Sequence, residues 1–249
     1  MNATTLIDSF DAAAAGPCTN GRRWFDHFKN NAAADARIDW GLEPGLSLEI
    51  HPRIIRSIQS WQLGESSDGS HLMKATDDFL ATRAADPLYR EAMLLFIREE
   101  QKHGNNLGRY LDLIGAERLK FDVGDWLFRK VRHLIGRIEI WTCTVFMIEG
   151  MAEIYYKALA DSGVCPLLRD ICDDILRDET WHILFQIERL RIQDREMPFI
   201  GYVFYRAFSF VLFLNIIGSV WLLHRRVFQA GGLTFRSYLG KAWRKFRRW

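Results

Sequence analysis

The sequence predicts an all-α chain, a four-helix bundle with additional helices in the crossover and at the C-terminus. Three observations carry that expectation. Long stretches repeat apolar residues at three- and four-residue steps, as at Ile54, Ile58, Trp61 and onward to Leu72, and such steps fall on one helical stripe. Two further stretches each hold a Glu and a His three apart, Glu100 with His103 and Glu179 with His182, which sets a carboxylate and an imidazole one turn apart on one face. Single carboxylates stand on other predicted helices, Glu65 before the first pair and Glu149 with Glu153 between the pairs. The order Glu, Glu-x-x-His, Glu, Glu-x-x-His is the one in which a four-helix bundle surrounds a carboxylate-bridged pair of iron or manganese ions.

Length and composition allow one such bundle. A chain of 249 residues, 49% apolar and with nine Trp, can bury one substantial core. Its four cysteines, Cys18, Cys143, Cys165 and Cys172, have neither zinc nor redox spacing, so a reducing compartment is expected. The first sixteen residues carry two acids and no basic cluster, unlike a secretory signal. A cytoplasmic protein follows as the expectation.

Residues 1–47 read as a loosely packed N-terminal arm with one short helix near Trp24, Phe25 and Phe28. Residues 48–192 read as the bundle. Its first helix covers about 48–80, with Pro52 in the first turn, where a missing N–H costs little. Gly64 and Gly69 flank Glu65, which implies room for metals, a kink, or a helix break before Asp68. The second helix opens with Asp86 as N-cap and Pro87 at its first position, and closes near Gly115. Glu100 is preferred over Glu99 as the inward carboxylate because it shares a face with Phe96 and Leu107.

Residues 116–137 form a helical crossover whose His133, beside Arg132 and Arg137, reads as a surface histidine. The third helix, about Ile138 to Ala160, brings Thr142, Val145, Glu149, Glu153 and Tyr156 near one face. Glu153 there is a second ligand, a proton relay, or an acid that orients an imidazole. Tyr156 is a core residue or a redox-active phenol. The fourth helix, about Pro166 to Arg191, has no Lys or Arg three or four residues from Glu179, so that carboxylate needs a partner from elsewhere. Asp178 either bonds an imidazole on another helix or faces solvent.

Residues 193–249 read as an apolar helix and a basic, aromatic extension of the same domain. Ala207 to Leu223 is a run of seventeen uncharged residues, at the short edge of the membrane-spanning range. A fifth helix covering the bundle is the preferred reading, with a monotopic or inserted membrane helix as the alternative. Residues 224–249 hold eight Lys and Arg and no acid, which leaves the preceding 223 residues at −6 against a whole-chain charge of +2. Cations beside aromatics suit an anionic membrane surface, or docking on the acidic bundle. Nucleic acid is not expected as a partner, since the body is acidic and no motif for it is present.

Over about residues 48–192 the donor pattern resembles that of the ferritin-like diiron carboxylate superfamily, which includes ferritins, rubrerythrins, ribonucleotide reductase small subunits and quinone-biosynthesis hydroxylases. The resemblance implies a ferritin-like four-helix bundle with Glu65, Glu100, His103, Glu149, Glu179 and His182 as metal ligands and catalytic set, and Glu153 as a further candidate at the metal. It implies two iron ions as cofactor, or manganese or a mixed Mn/Fe pair, with dioxygen as co-substrate. The function class that follows is a diiron oxygenase or oxidase, monooxygenases included, acting on a small hydrophobic substrate. An external electron donor is implied, because the chain has no flavin or iron–sulfur motif. The alternatives are iron oxidation and storage, peroxide reduction, or a non-catalytic helical interaction protein. The chain lacks the Cys-x-x-Cys site often found in rubrerythrin-like peroxide reductases. A homodimer and a peripheral membrane contact are the associations these features allow.

Overall fold

The computed structural model describes residues 20–34, 37–45, 51–82, 86–124, 126, 138–163 and 165–249. Most of the expected crossover, His133 included, lies outside the described residues. Among the described residues are eight helices and no strand: α1 Gly21–Ala32, α2 His51–Glu65, α3 Ser70–Thr82, α4 Pro87–Leu113, α5 Ile138–Asp161, α6 Pro166–Glu196, α7 Phe199–Ala230 and α8 Phe235–Phe246. The bundle is made by α2 with α3, α4, α5 and α6. The extra helices lie before it and after it.

α4 starts where its sequence demands. The Asp86 carboxylate accepts from the Leu88 and Tyr89 amides, each at 3.1 Å, with Pro87 in the first turn, satisfying donors that the helix itself leaves open. The same carboxylate accepts from the Gly21 amide at 3.2 Å, so one side chain ties the start of α1 to the start of α4. A Cβ at position 21 would stand 2.4 Å from the Tyr89 nitrogen, which explains the glycine.

The first bundle helix is broken. α2 ends at Glu65, Gly69 takes φ 68°, and α3 begins at Ser70. Only glycine fits there on two counts, since an L side chain disfavours that φ and a Cβ would sit 2.6 Å from Ile97 Cγ2. Of the three readings of the flanking glycines, the break is the one found, and it puts Glu65 at a helix end. α5 and α6 are joined by a short turn and pack along each other over much of their length, as short connections in bundles require.

The short helix expected near Trp24 is α1, and among the described residues it is packed into the protein where a loose arm was expected. Trp24 and Phe28 are each 1% exposed, and with Phe96, Tyr89 and Phe185 they form a second apolar cluster beside the main core. Trp24 Nε1 donates to Glu188 Oε1 at 3.0 Å, fastening α1 to α6. The reason is visible in the spacing: Trp24 and Phe28 are four apart and share one helix face. α7 packs against α5 and α2, and α8 closes over α5 and α7. The preferred reading of a fifth covering helix thus describes one face of α7, and its other face is treated below.

Candidate metal centre

Four helices send six side chains to one place. α4 contributes Glu100 and His103, α6 contributes Glu179 and His182, α5 contributes Glu149, and the end of α2 contributes Glu65. Donor atoms of Glu65, Glu100 and His103 all lie within 4.8 Å of one another, and so do those of Glu100, Glu149, Glu179 and His182. Glu100 belongs to both groups. Two groups sharing one carboxylate is the layout of a carboxylate-bridged pair of ions.

The residues fit such a pair. Glu179, His103 and His182 are fully buried, and Glu65 and Glu149 nearly so. Yet Glu100 Oε1, both Glu179 oxygens, His103 Nδ1 and His182 Nδ1 have no hydrogen-bond partner. His182 Nδ1 approaches Glu100 Oε1 to 2.7 Å, as an ion pair without hydrogen-bond angles. The two imidazole centroids are 5.7 Å apart. Buried polar atoms left without partners are costly, and here they converge on one point. Four ionised carboxylates would also be balanced by two divalent cations.

The imidazoles are held from behind. His103 Nε2 lies 3.0 Å from Asp178 Oδ2, and His182 Nε2 lies 2.8 Å from Glu99 Oε2. An ionised carboxylate can only accept, so each Nε2 carries a proton; with ions bound, each ring would be neutral and offer its Nδ1 lone pair inward. Asp178 stays ionised because its opposing cations outweigh burial: Lys102 Nζ is 2.5 Å and Arg37 Nη1 3.1 Å from it. His103 and Lys102 hold its carboxyl below the ordinary range despite desolvation. Asn31 donates from one amide to Asp178, at 2.9 Å, and to Glu99.

The inner carboxylates are pushed the other way. Burial first, then repulsion from Glu100, raises Glu65 to about 8. Burial lifts Glu149 above its ordinary value, and burial with the facing Glu149, Glu100 and Glu65 lifts Glu179 well above it. His182 is raised too, since Glu100 and Glu99 overcome the opposing effect of burial. Without cations the cluster therefore holds protons, and cations that displace them release those protons to solvent.

The structure brings together six of the seven residues expected at the metal, and the seventh, Glu153, turns toward Lys245 of α8. Glu99 proves to be the outer partner of an imidazole, and Asp178 bonds the histidine of another helix. Tyr156 is fully buried and donates to Glu65 Oε1 at 2.7 Å. Asn31, Arg37 and Lys102 were missed. Asn31 could have been found, since it continues the Trp24 and Phe28 stripe three residues on. Arg37 lies beyond the helix and gave no signal.

No family model and no curated protein matches the sequence. Solved structures do match in shape. An R2-like ligand-binding oxidase variant with aerobically reconstituted Mn/Fe cofactor is 16% identical, with a TM-score of 0.64 over 92% of each chain. A second variant of such an oxidase, anaerobically reconstituted, is 17% identical at 0.64 over 92% of each chain. A long-soaked aerobic form is 17% identical at 0.63, covering 92% of this chain and 90% of that one. The chain has the ferritin-like fold, a four-helix bundle with helices added to it. At this identity the likeness establishes the fold alone.

Proposed function

We propose that the chain is an oxidoreductase that holds two redox-active ions, iron, manganese or one of each, and uses dioxygen to oxidise or oxygenate a hydrophobic organic substrate. One observation carries the reading: two groups of buried carboxylate and imidazole donors share Glu100, and their inward atoms lack other partners. Carboxylate oxygens with one imidazole for each ion suit iron or manganese better than softer metals. The structural neighbours are described as oxidases with a reconstituted Mn/Fe cofactor, which supports the same choice here.

Glu65 and His103 would hold one ion, Glu149, Glu179 and His182 the other, with Glu100 shared. When bound, such a pair supplies electrons to dioxygen and oxidising power toward the substrate. The protein's part is positional and protic. Asp178 and Glu99 fix both ring tautomers, and Tyr156 keeps a proton at Glu65 Oε1 because burial raises its phenol well above the ordinary value. Phe28 and Phe96 pack on the His182 ring, with centroids at 6.0 and 4.7 Å, and keep water from that side. Phe146, Met147, Met151, Phe213 and Phe246, with Lys245 beside them, pack between α5 and the C-terminal helices around a cleft no larger than a water molecule, so a hydrophobic substrate entering there would have to part these side chains. Electrons come from a separate protein or a small reductant.

The test is single turnover. Protein loaded anaerobically with ferrous iron, or with iron and manganese, is mixed with air while its absorption is followed, with and without fatty aldehydes or quinone precursors. The expected result is rapid oxidation of the loaded ions, decay accelerated by one of these substrates, and an oxidised organic product. Growth of a mineral core, or faster reaction with peroxide than with dioxygen, would overturn the organic reading.

A further inference from the structure

α7 is long and apolar enough to cross a membrane, yet only 33% of its most apolar stretch is buried. It is not a lone span, because Phe213, Ile217, Val227 and Phe228 on one face are built into the bundle core. The opposite face is open: Phe199, Ile200, Phe204, Val211, Leu214 and Leu222 are between 48% and 80% exposed. From Ile200 to Leu222 these residues recur at three- and four-residue steps, or twice that interval, along the outer side of one helix. Single exposed apolar residues need no explanation, whereas a continuous stripe marks a contact surface.

Charge identifies what the stripe fits. Three and four residues past Leu222 the same side continues into Arg225 and Arg226, both exposed. On α8, Trp243 is 43% exposed and packs against Phe210 at 6.2 Å, beside the exposed Arg244 and Arg247. No Asp or Glu follows Glu196 in the chain. A second copy pressing its own α7 and α8 against this face would therefore bring cations to cations, because an isologous contact pairs a surface with itself. Lipid phosphates offer the missing anions, and an acyl layer offers the apolar phase. An apolar helix face bordered by Trp and Arg is the arrangement of a helix lying in the membrane interface.

We propose that the outer faces of α7 and α8 form a monotopic docking surface for an anionic bilayer, with α7 lying in the membrane plane and the basic end of the chain on the lipid phosphates. The metal centre takes no part in this contact, so its outcome is independent of the reading above. Among the described residues, Lys245 reaches from α8 to Glu153, one turn beyond Glu149 on α5, and His224 of α7 packs on Trp61, itself against Tyr156.

The experiment is co-sedimentation of the full chain with vesicles of phosphatidylcholine alone and of phosphatidylcholine mixed with phosphatidylglycerol. The protein should pellet with the mixed vesicles, and added salt should weaken the binding. Phe204→Ser combined with Leu222→Ser should weaken it by about tenfold or more while thermal stability is kept, because both side chains point outward. Replacing Arg225, Arg226, Arg244 and Arg247 by Gln should abolish the preference for anionic vesicles. Failure of the full chain to pellet with either vesicle, or binding unchanged by the serine pair, would overturn the proposal. A dimer that the serine pair dissociates, in a protein that ignores vesicles, would overturn it and assign the face to a second copy.

Discussion

The inside of the bundle and the outside of α7 depart from ordinary folding in opposite directions. At the centre, four carboxylates and two imidazoles are packed where apolar side chains would normally sit; on the outer face of α7, Phe204 and Leu222 stand in solvent at 72% and 69% exposure. Each arrangement costs free energy in the isolated chain. The two differ in how the chain responds. Around the centre it builds a support of Asp178, Glu99, Asn31, Arg37 and Lys102, whereas along α7 it builds none. A metal site needs fixed donor geometry, while a lipid surface is fluid and asks only for area and charge.

The largest expected effect is at Glu100, the residue shared by both donor groups. Glu100→Ala should lose both ions, whereas His103→Ala and His182→Ala should each chiefly lose the ion on their own side. Metal analysis after desalting separates these outcomes, and equal loss in all three variants would break the assignment of Glu100 as the bridge. Next comes packing. Phe28→Ala should cost about 3–5 kcal/mol in denaturant unfolding, while Phe204→Ser should stay within about 0.5 kcal/mol, since one ring is core and the other is exposed.

A smaller effect is expected behind the imidazole. Asp178→Asn keeps the size of the side chain but removes the charge that Lys102 and Arg37 face. Metal affinity should fall about 10–100-fold, measured by competition with a chelator. An unchanged affinity would mean that the imidazole does not depend on this contact.

The subtlest prediction concerns pH. Glu65 titrates near 4.5 in an unfolded chain and about 8 in the folded, metal-free protein. The folded state thus keeps a proton that the unfolded state releases. This contribution to stability is complete below pH 4.5 and is lost as pH rises toward 8. Each unit of the rise is worth about 1.4 kcal/mol. Glu65→Gln cannot ionise, and its amide oxygen still accepts from Tyr156. Metal-free Glu65→Gln should gain stability over the native sequence as pH rises through that window, in urea titrations at a series of pH values. A difference that stays constant with pH would show that the carboxyl is not perturbed.

Much of the inner region was legible in the sequence, because helix periodicity converts spacing into direction. Glu100 with His103, and Glu179 with His182, had to share faces on any helix, and Glu149 followed from its place beside Val145 and Thr142. Glu153 was less decidable, since one turn along a helix can face the next element, and here that element is α8 with Lys245. A break near Gly69 was one of the readings the local glycines allowed; the closeness of Ile97, which bars a Cβ at that position, is a contact between helices that no local pattern encodes. The packing of α1 was encoded by Trp24 and Phe28 at one helical spacing, but with no partner stripe nearby in sequence they read as part of a loosely packed arm. Arg37 reaches Asp178 across 141 positions of sequence, a distance over which spacing carries no information.

On the proposed function the buried donors of the bundle hold two metal ions. The deciding measurement is metal content of the full chain after anaerobic loading with ferrous iron and manganese, followed by desalting and elemental analysis, alongside Glu100→Ala treated identically. About two ions of iron and manganese together are expected per chain, and close to none in the variant. Fewer than one ion retained by the native sequence, or retention undiminished in Glu100→Ala, would contradict it.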